Sequence, residues 1–249
     1  MHTLRSLFIW VTVILTTLLV FFPILICSTV LLPFNPQKTW AHRMGILWAL
    51  FIFKMSSNWK VTVKGREYLP KGPAVFISNH ESMADIIALY LLQCDFKWLA
   101  KKELFKVPFF GWSMAFSGYI PLERGSIRST AQSLDKARDY LKKGVSILIF
   151  PEGTRSEDGE LREFKGGAFK LAVEERVPLV PVAITGTRHI LQKGSWLLAN
   201  EVRVSIQVLP PIATTGLTGE DEKELRTATR DKIKNGLREI RKSASSPNP

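Results

Sequence analysis

The chain has 249 residues, 46% of them apolar and seven of them Trp, which excludes a disordered polar chain and leaves room for one sizeable domain with an appendage. Its formal net charge of +12 points to an anionic partner: nucleic acid, a membrane surface or a phosphorylated substrate. No acidic residue precedes Glu67, whereas Arg5, Lys38, Arg43, Lys54, Lys60, Lys64 and Arg66 are basic. The excess therefore sits beside the most apolar end, as expected for contact with anionic membrane lipids. With no zinc-finger spacing, RNP string or sustained basic helix, the reading is no nucleic acid. Cys27 lies in a lipid-like segment and Cys94 after a helical one, so they form no disulfide framework and a reducing compartment is the natural setting.

From Ser6 to Gln37 no residue is charged, and Leu7 to Leu32 is almost wholly apolar. As a helix that run extends roughly 39 Å at about 1.5 Å per residue, against about 30 Å of hydrocarbon, so it is long enough to cross. Pro23 falls inside it and is expected to kink or break the helix. A second apolar run, MGILWALFIF at 44–53, lies between Arg43 and Lys54 and is too short to span; Trp40, Trp48 and Trp59 suit an interface. A cleaved signal peptide fits poorly, because the apolar region is too long and no small-residue cleavage site follows it. Two membrane helices remain, either one crossing plus an interfacial helix or a re-entrant pair in one leaflet. Lys38, Arg43 and Lys54 bias the rest of the chain toward the cytoplasmic side of the membrane. Residues 1–58 are read as a two-helix membrane anchor, 59–242 as an α/β domain and 243–249 as a disordered tail.

After Trp59 short apolar runs alternate with amphipathic stretches. KVTVKG (60–65) and AVFIS (74–78) read as strands, and SMADIIALYLLQ (82–93) reads as a helix. A short strand near Phe96 to Leu99, helical turns broken at Pro108 and Gly111, and another strand near Tyr119 come next. SIRSTAQSLDKARDYLKKG (126–144) has helical periodicity and stops at Gly144, and SILIF (146–150) is a buried strand halted by Pro151. A helix after KGG (165–167), the strands PLVPVAIT (178–185) and VRVSIQV (202–208), and a charged helix from Asp221 to about Arg241 complete the chain. Strands alternating with helices favour an α/β sheet whose ligands gather beyond the carboxyl ends of the strands. NHESMAD, PLERG and PEGTRS each follow an apolar run, so three polar strings are expected on one edge of the sheet.

Within NHESMAD, five positions separate His80 from Asp85, about 140° around a helix, so the two do not share a helical face. With His80 in the turn after AVFIS and Asp85 in the first helical turns, the carboxylate is near enough to reach back. That is a His/carboxylate dyad. His2, His42 and His189 offer no metal-ligand spacing, so no metal is expected.

These strings resemble the glycerolipid acyltransferases. NHESMAD resembles the NHxxxxD motif of that family, GYIPLER (118–124) its second motif, FPEGTRS (150–156) its third without departure, and VPLVPVAI (177–184) its fourth. The order and spacing agree over about residues 60 to 185; Glu123 stands where an Asp is more usual. The likeness is to the bacterial branch that acylates 1-acylglycerol 3-phosphate and carries an N-terminal two-helix membrane motif. The resemblance implies an α/β sheet flanked by helices, attachment to the cytoplasmic (inner) membrane, and transfer of an acyl chain from acyl-CoA or acyl carrier protein to the sn-2 hydroxyl of lysophosphatidic acid. No cofactor is expected beyond that donor substrate.

The chemistry agrees with that implication. An alcohol is a poor nucleophile until its proton begins to leave, and His80, with an unperturbed pKa of about 6.5, suits a general base. Asp85 would fix its tautomer and stabilise the imidazolium. The substrate supplies the nucleophile, and the chain contains no G-x-S-x-G elbow. For a phosphorylated acceptor Arg155 offers a planar fork, Gly153 a close backbone approach and Thr154 a hydroxyl; Arg124 is a second clamp. Lys101 is a third by resemblance to the family's phosphate-binding lysine. Glu152 is grouped with this site as the residue that orients the loop or a neighbouring base. Two other readings use the same residues: an acyltransferase for another lyso-lipid or glycerol 3-phosphate, and a non-catalytic anionic-lipid-binding membrane protein.

Overall fold

The computed structural model describes residues 2–56, 58–156, 158–191 and 195–245. The runs read as strands are β1 (Trp59–Lys64), β2 (Val75–Ser78), β3 (Phe96–Lys101), β4 (Ile120–Leu122), β5 (Ser146–Ile149), β6 (Leu179–Thr185) and β7 (Val202–Val208). They form one sheet in the order β1-β7-β6-β2-β5-β3-β4. β2 lies between β5 and β6, with Val75 opposite Ile147 on one side and Leu179 on the other. Every residue of β2 is buried, and a strand covered on both faces has no solvent side to be polar. β2, β3, β4, β5 and β6 run parallel. β7 is antiparallel to β6 and β1 is parallel to β7, so that edge pair runs against the rest.

Alternate side chains of β2 divide the core. Phe76 packs on the side of α2 (Thr39–Met55), α3 (Ala84–Leu89) and α4 (Phe110–Phe116). Val75 and Ile77 face α5 (Ile127–Lys142), α6 (Gly167–Glu175) and α7 (Glu222–Ser245). Burying a side chain of this size contributes about 1.5–3 kcal/mol, so the sheet is clamped from both faces by area alone.

Helix α1 (His2–Thr29) runs through Pro23 without ending, so of the expected kink or break the break does not occur. Proline removes one ladder bond and crowds the preceding turn, and the rest of a 28-residue helix carries on around that defect. α1 is the one helix among the described residues long and apolar enough to cross a membrane, yet only 22% of its most apolar window is buried within the protein. α2, at 17 residues, is too short. Both ends of α1 are fastened to the rest of the chain. Near the start, Arg5 donates to the Ala199 carbonyl at 2.9 Å, Trp10 to that of Trp196 at 2.7 Å, and the Ser6 hydroxyl accepts from Leu198 N–H. Near the finish, Phe21 meets Phe109, Trp112 and Phe116 edge-on or tilted.

α2 belongs to the same core as the sheet, through Ile46, Ala49 and Phe53. Its buried His42 faces the Tyr119 hydroxyl through Nδ1 at 2.9 Å and the Cys94 carbonyl through Nε2 at 3.1 Å. Lys97 of β3 is fully buried, and its ammonium donates to the carbonyls of Ser117 at 2.8 Å and Lys38 at 3.0 Å. Those bonds satisfy the amine, while burial lowers its pKa to about 7. Lys38, with φ 55°, starts α2, so Lys97 ties the turn before α2 both to β3 and to the segment entering β4.

Two helix boundaries differ from the sequence reading. SMADIIALYLLQ is helical only over Ala84–Leu89, then tightens to a 3₁₀ turn at Tyr90–Leu92 and stops at Gln93 with φ 56°. α7 runs on to Ser245, so the expected tail begins helical; residues 246–249 lie outside the described part.

Candidate active site

Parallel β2, β3, β4, β5 and β6 bring their carboxyl ends to one edge. Asn79 and His80 follow β2, Phe150 to Arg155 follow β5, Arg124 follows β4, Lys101 ends β3, and Gly186 and Thr187 follow β6. Asn79 prolongs the β2–β6 pairing with its side chain: its amide donates to the Ile184 carbonyl at 2.8 Å and its oxygen accepts Ile184 N–H at 2.9 Å. That bond pair fixes the direction in which the chain leaves β2, and therefore where His80 stands.

The His80 ring meets Asp85 as expected, Nδ1 to Oδ2 at 2.7 Å, with side-chain exposures of 11% and 0%. The same Oδ2 accepts the N–H groups of Glu81 at 2.7 Å and Ser82 at 2.9 Å, and Oδ1 accepts the Thr187 hydroxyl. A buried carboxylate needs such donors to remain charged, and here they also leave it one orientation. Because Asp85 can only accept, Nδ1 carries the proton and Nε2 presents its lone pair. Among the described residues Nε2 has no hydrogen-bond partner, while Phe150 stacks on the ring at 4.2 Å and 20°.

Glu152 is buried and both its oxygens are engaged: Oε1 accepts His80 N–H at 2.8 Å and Oε2 accepts Arg162 N–H at 3.1 Å. The carboxylate thereby holds two chain segments together, the arrangement an orienting residue needs. Ser156 N–H returns to the His80 carbonyl at 2.8 Å, so the strings after β2 and β5 are laced to each other. Gly153 has φ +71°, a conformation open to glycine and strained for other residues. Thr154 is half-buried beside it and Arg155 is exposed.

Arg124 is exposed beyond the end of β4, on the far side of β3 from β5, and partial desolvation, followed by the positive charge of Arg155, lowers its pKa. Lys101 is about half exposed and lies 3.6 Å from Glu103; β3–β4 pairing sets it opposite Leu122, two residues before Arg124. Lys102 is turned to Glu123 at 3.1 Å and is a surface pair. Among the described residues no group of three His, Cys, Asp or Glu is spaced to hold a metal ion.

Some neighbours were not legible in the motifs. Glu81 is buried, accepts Gly186 N–H at 3.2 Å and lies 3.5 Å from the Arg241 guanidinium; burial, then the charge of Asp85, raises its pKa to about 7. Arg241 also donates to the Gly159 carbonyl and Arg188 to that of Asp158, so α7 and the end of β6 hold the loop that carries Arg155. Thr187 carried one available signal: it follows β6, which neighbours β2 and therefore ends beside His80. Arg241 carried none, since α7 reads as a solvated charged helix.

Residues 60–185 match the family described as Acyltransferase. A chloroplastic 1-acyl-sn-glycerol-3-phosphate acyltransferase of Arabidopsis thaliana is 38% identical over 182 residues, covering 72% of this chain and 51% of the plant protein. A 1-acyl-sn-glycerol-3-phosphate acyltransferase of Borreliella burgdorferi is 35% identical over 184 residues, covering 73% of each. The chain spans about half the length of the curated plant relatives it matches. The crystal structure of a 1-acyl-sn-glycerophosphate (LPA) acyltransferase from Thermotoga maritima superposes with a TM-score of 0.74 at 26% identity, covering 100% of both chains.

Proposed function

The chain belongs to the acyltransferase family, and from that premise we propose that it transfers an acyl chain from a thioester donor to the sn-2 hydroxyl of lysophosphatidic acid, giving phosphatidic acid. The single observation that carries this reading is the His80–Asp85 pair, whose Nε2 has no hydrogen-bond partner among the described residues, on the strand edge that also bears Arg124 and Arg155. Nε2 takes the proton from the acceptor hydroxyl as the oxygen attacks the thioester carbonyl. Asp85 stabilises the imidazolium, and the proton passes to the departing thiolate. No enzyme nucleophile takes part, so no covalent intermediate forms. Arg124, Arg155 and Lys101 receive the acceptor's phosphate, with Gly153 and Thr154 shaping the turn. The donor, acyl-CoA or acyl carrier protein, enters as a substrate.

The proposal extends to location. Residues 1–58 act as the membrane anchor and residues 59–242 as the acyltransferase domain on the cytoplasmic side of the membrane, with anionic lipids meeting the basic residues that flank the apolar runs. Because both ends of α1 touch that domain, a perpendicular crossing would place part of the domain on each side of the bilayer. The geometry supports α1 lying within one leaflet, its exposed Leu7, Val11, Ile14 and Phe22 in lipid.

The test is turnover of the purified protein on lysophosphatidic acid with acyl-CoA and acyl carrier protein donors, beside His80→Ala. Wild type should form phosphatidic acid, and His80→Ala should lose about 10² to 10⁴ in rate. Near-normal turnover by folded His80→Ala would overturn the mechanism; failure of wild type with both donors would overturn the substrate.

A further inference from the structure

Gly153 is glycine for a second reason besides its φ. A Cβ placed there would stand 2.9 Å from the Lys165 Nζ, 3.0 Å from its Cε and 3.5 Å from its Cδ, and these are its three nearest atoms. The Lys165 side chain lies along the face of Gly153 that any other residue would fill. Its backbone is fastened there too, since Lys165 N–H donates to the Pro151 carbonyl at 2.9 Å.

Among the described residues the seat has no counter-charge. Both oxygens of Glu152 accept backbone N–H groups, and Glu163 has Arg230 as its cation at 3.7 Å. Among the described residues no carboxylate lies within ion-pair distance of Lys165, and no hydrogen bond holds its ammonium. A lysine on a flexible stem ordinarily roams in solvent. This one is exposed yet laid across the turn that bears Arg155, two residues beyond Gly153, and Arg155 in turn lowers the pKa of Arg124.

We infer that Lys165 is a phosphoryl-contacting residue of this site, and that Gly153 is kept free of a side chain to seat it. This deepens the acyltransferase reading and rests on it for the identity of the substrate. Arg124, Arg155 and Lys165, none with a carboxylate partner among the described residues, suit a phosphomonoester, which carries about −1.5 to −2 charge near neutrality. The phosphomonoester belongs either to the acyl acceptor or to the ribose 3′-phosphate of an acyl-CoA donor, which present the same oxygens to an ammonium.

Kinetics on the full chain distinguish these sources. Lys165→Met should raise KM about tenfold or more for one phosphorylated substrate, with kcat little changed, as expected for loss of a charge-assisted contact. Lys165→Arg should retain part of the affinity. Gly153→Ala should raise the same KM, and the double variant should be no worse than the more impaired single one, because each removes the same seated ammonium. A rise for lysophosphatidic acid assigns the contact to the acceptor, and a rise for acyl-CoA assigns it to the donor; unchanged KM for both would overturn it. Calorimetric titration with glycerol 3-phosphate separates this inference from the acyltransfer reading. Weakened binding by Lys165→Met in a protein that transfers no acyl chain would keep the anion site and discard the reaction, whereas acyl transfer with unchanged constants would do the reverse.

Discussion

The Glu152 carboxylate accepts the backbone N–H of His80 at 2.8 Å, joining two polar strings 72 residues apart in the chain. Its other oxygen holds Arg162 N–H, so one buried side chain sets both the turn that bears His80 and the loop beyond Arg155. Removing it leaves two N–H groups short of an acceptor, at about 1–3 kcal/mol each where they are buried. Glu152→Ala should therefore lower kcat strongly in a folded protein, while leaving unchanged the preference for phosphorylated over unphosphorylated acceptors. Steady-state rates on lysophosphatidic acid and monoacylglycerol measure both quantities. Loss of that preference would return Glu152 to direct contact with the phosphate.

In the proposed site Arg155 and Arg124 would act on the acceptor in another way, because each contributes only where there is an anion to meet. Arg155→Ala and Arg124→Ala should reduce kcat/KM for lysophosphatidic acid by roughly tenfold or more and barely affect monoacylglycerol. Arg155→Lys should not fully restore it, since a point charge cannot reproduce a planar fork. Equal losses on both acceptors would make these arginines structural.

The parallel half of the fold was legible because its strands are uninterrupted apolar runs, each ended by a polar string; β2, β5 and β6 needed only that signal. The His80–Asp85 contact came from spacing, since five positions fit a strand-to-helix turn. The reversed directions of β1 and β7 were not legible, because VRVSIQV alternates identically whichever way it runs. The early end of α3 also escaped the pattern. Tyr90 to Leu92 are apolar and buried in either helical form, and periodicity does not separate a 3₁₀ turn from an α turn over three residues. Contacts such as Arg241 with Glu81 join residues 160 positions apart and leave no local trace.

Glu81 makes stability depend on pH. Its pKa in the fold is raised from 4.5 to about 7, chiefly by burial. The unfolded chain ionises it first, so its contribution is complete below about pH 4.5 and is lost as pH rises through about 7, on the order of 3 kcal/mol in all. Glu81→Gln keeps an acceptor for Gly186 N–H and removes the titration. Denaturant midpoints of the detergent-solubilised protein between pH 5 and 7 should fall with rising pH in wild type and stay flatter in the variant. Parallel slopes would place the titration elsewhere.

The placement of α1 sets the last expectation. Arg5 and Trp10 at its start and Phe21 toward its end all contact the body that carries the dyad, and in the proposed membrane arrangement a helix so held would have both termini on one side of the bilayer. Thr3 and Pro36 are exposed and flank the apolar run. Placed one at a time as cysteines in a Cys27→Ser, Cys94→Ser background, both should resist an impermeant thiol reagent applied to intact cells and react after permeabilisation. A crossing helix would expose one and shield the other, and would require the contacts of Arg5 and Trp10 with 196–199 to be absent in the membrane. Labelling of both from outside would keep α1 in one leaflet but turn the catalytic edge away from the cytoplasm, where the acyl-thioester donors of this proposal are supplied.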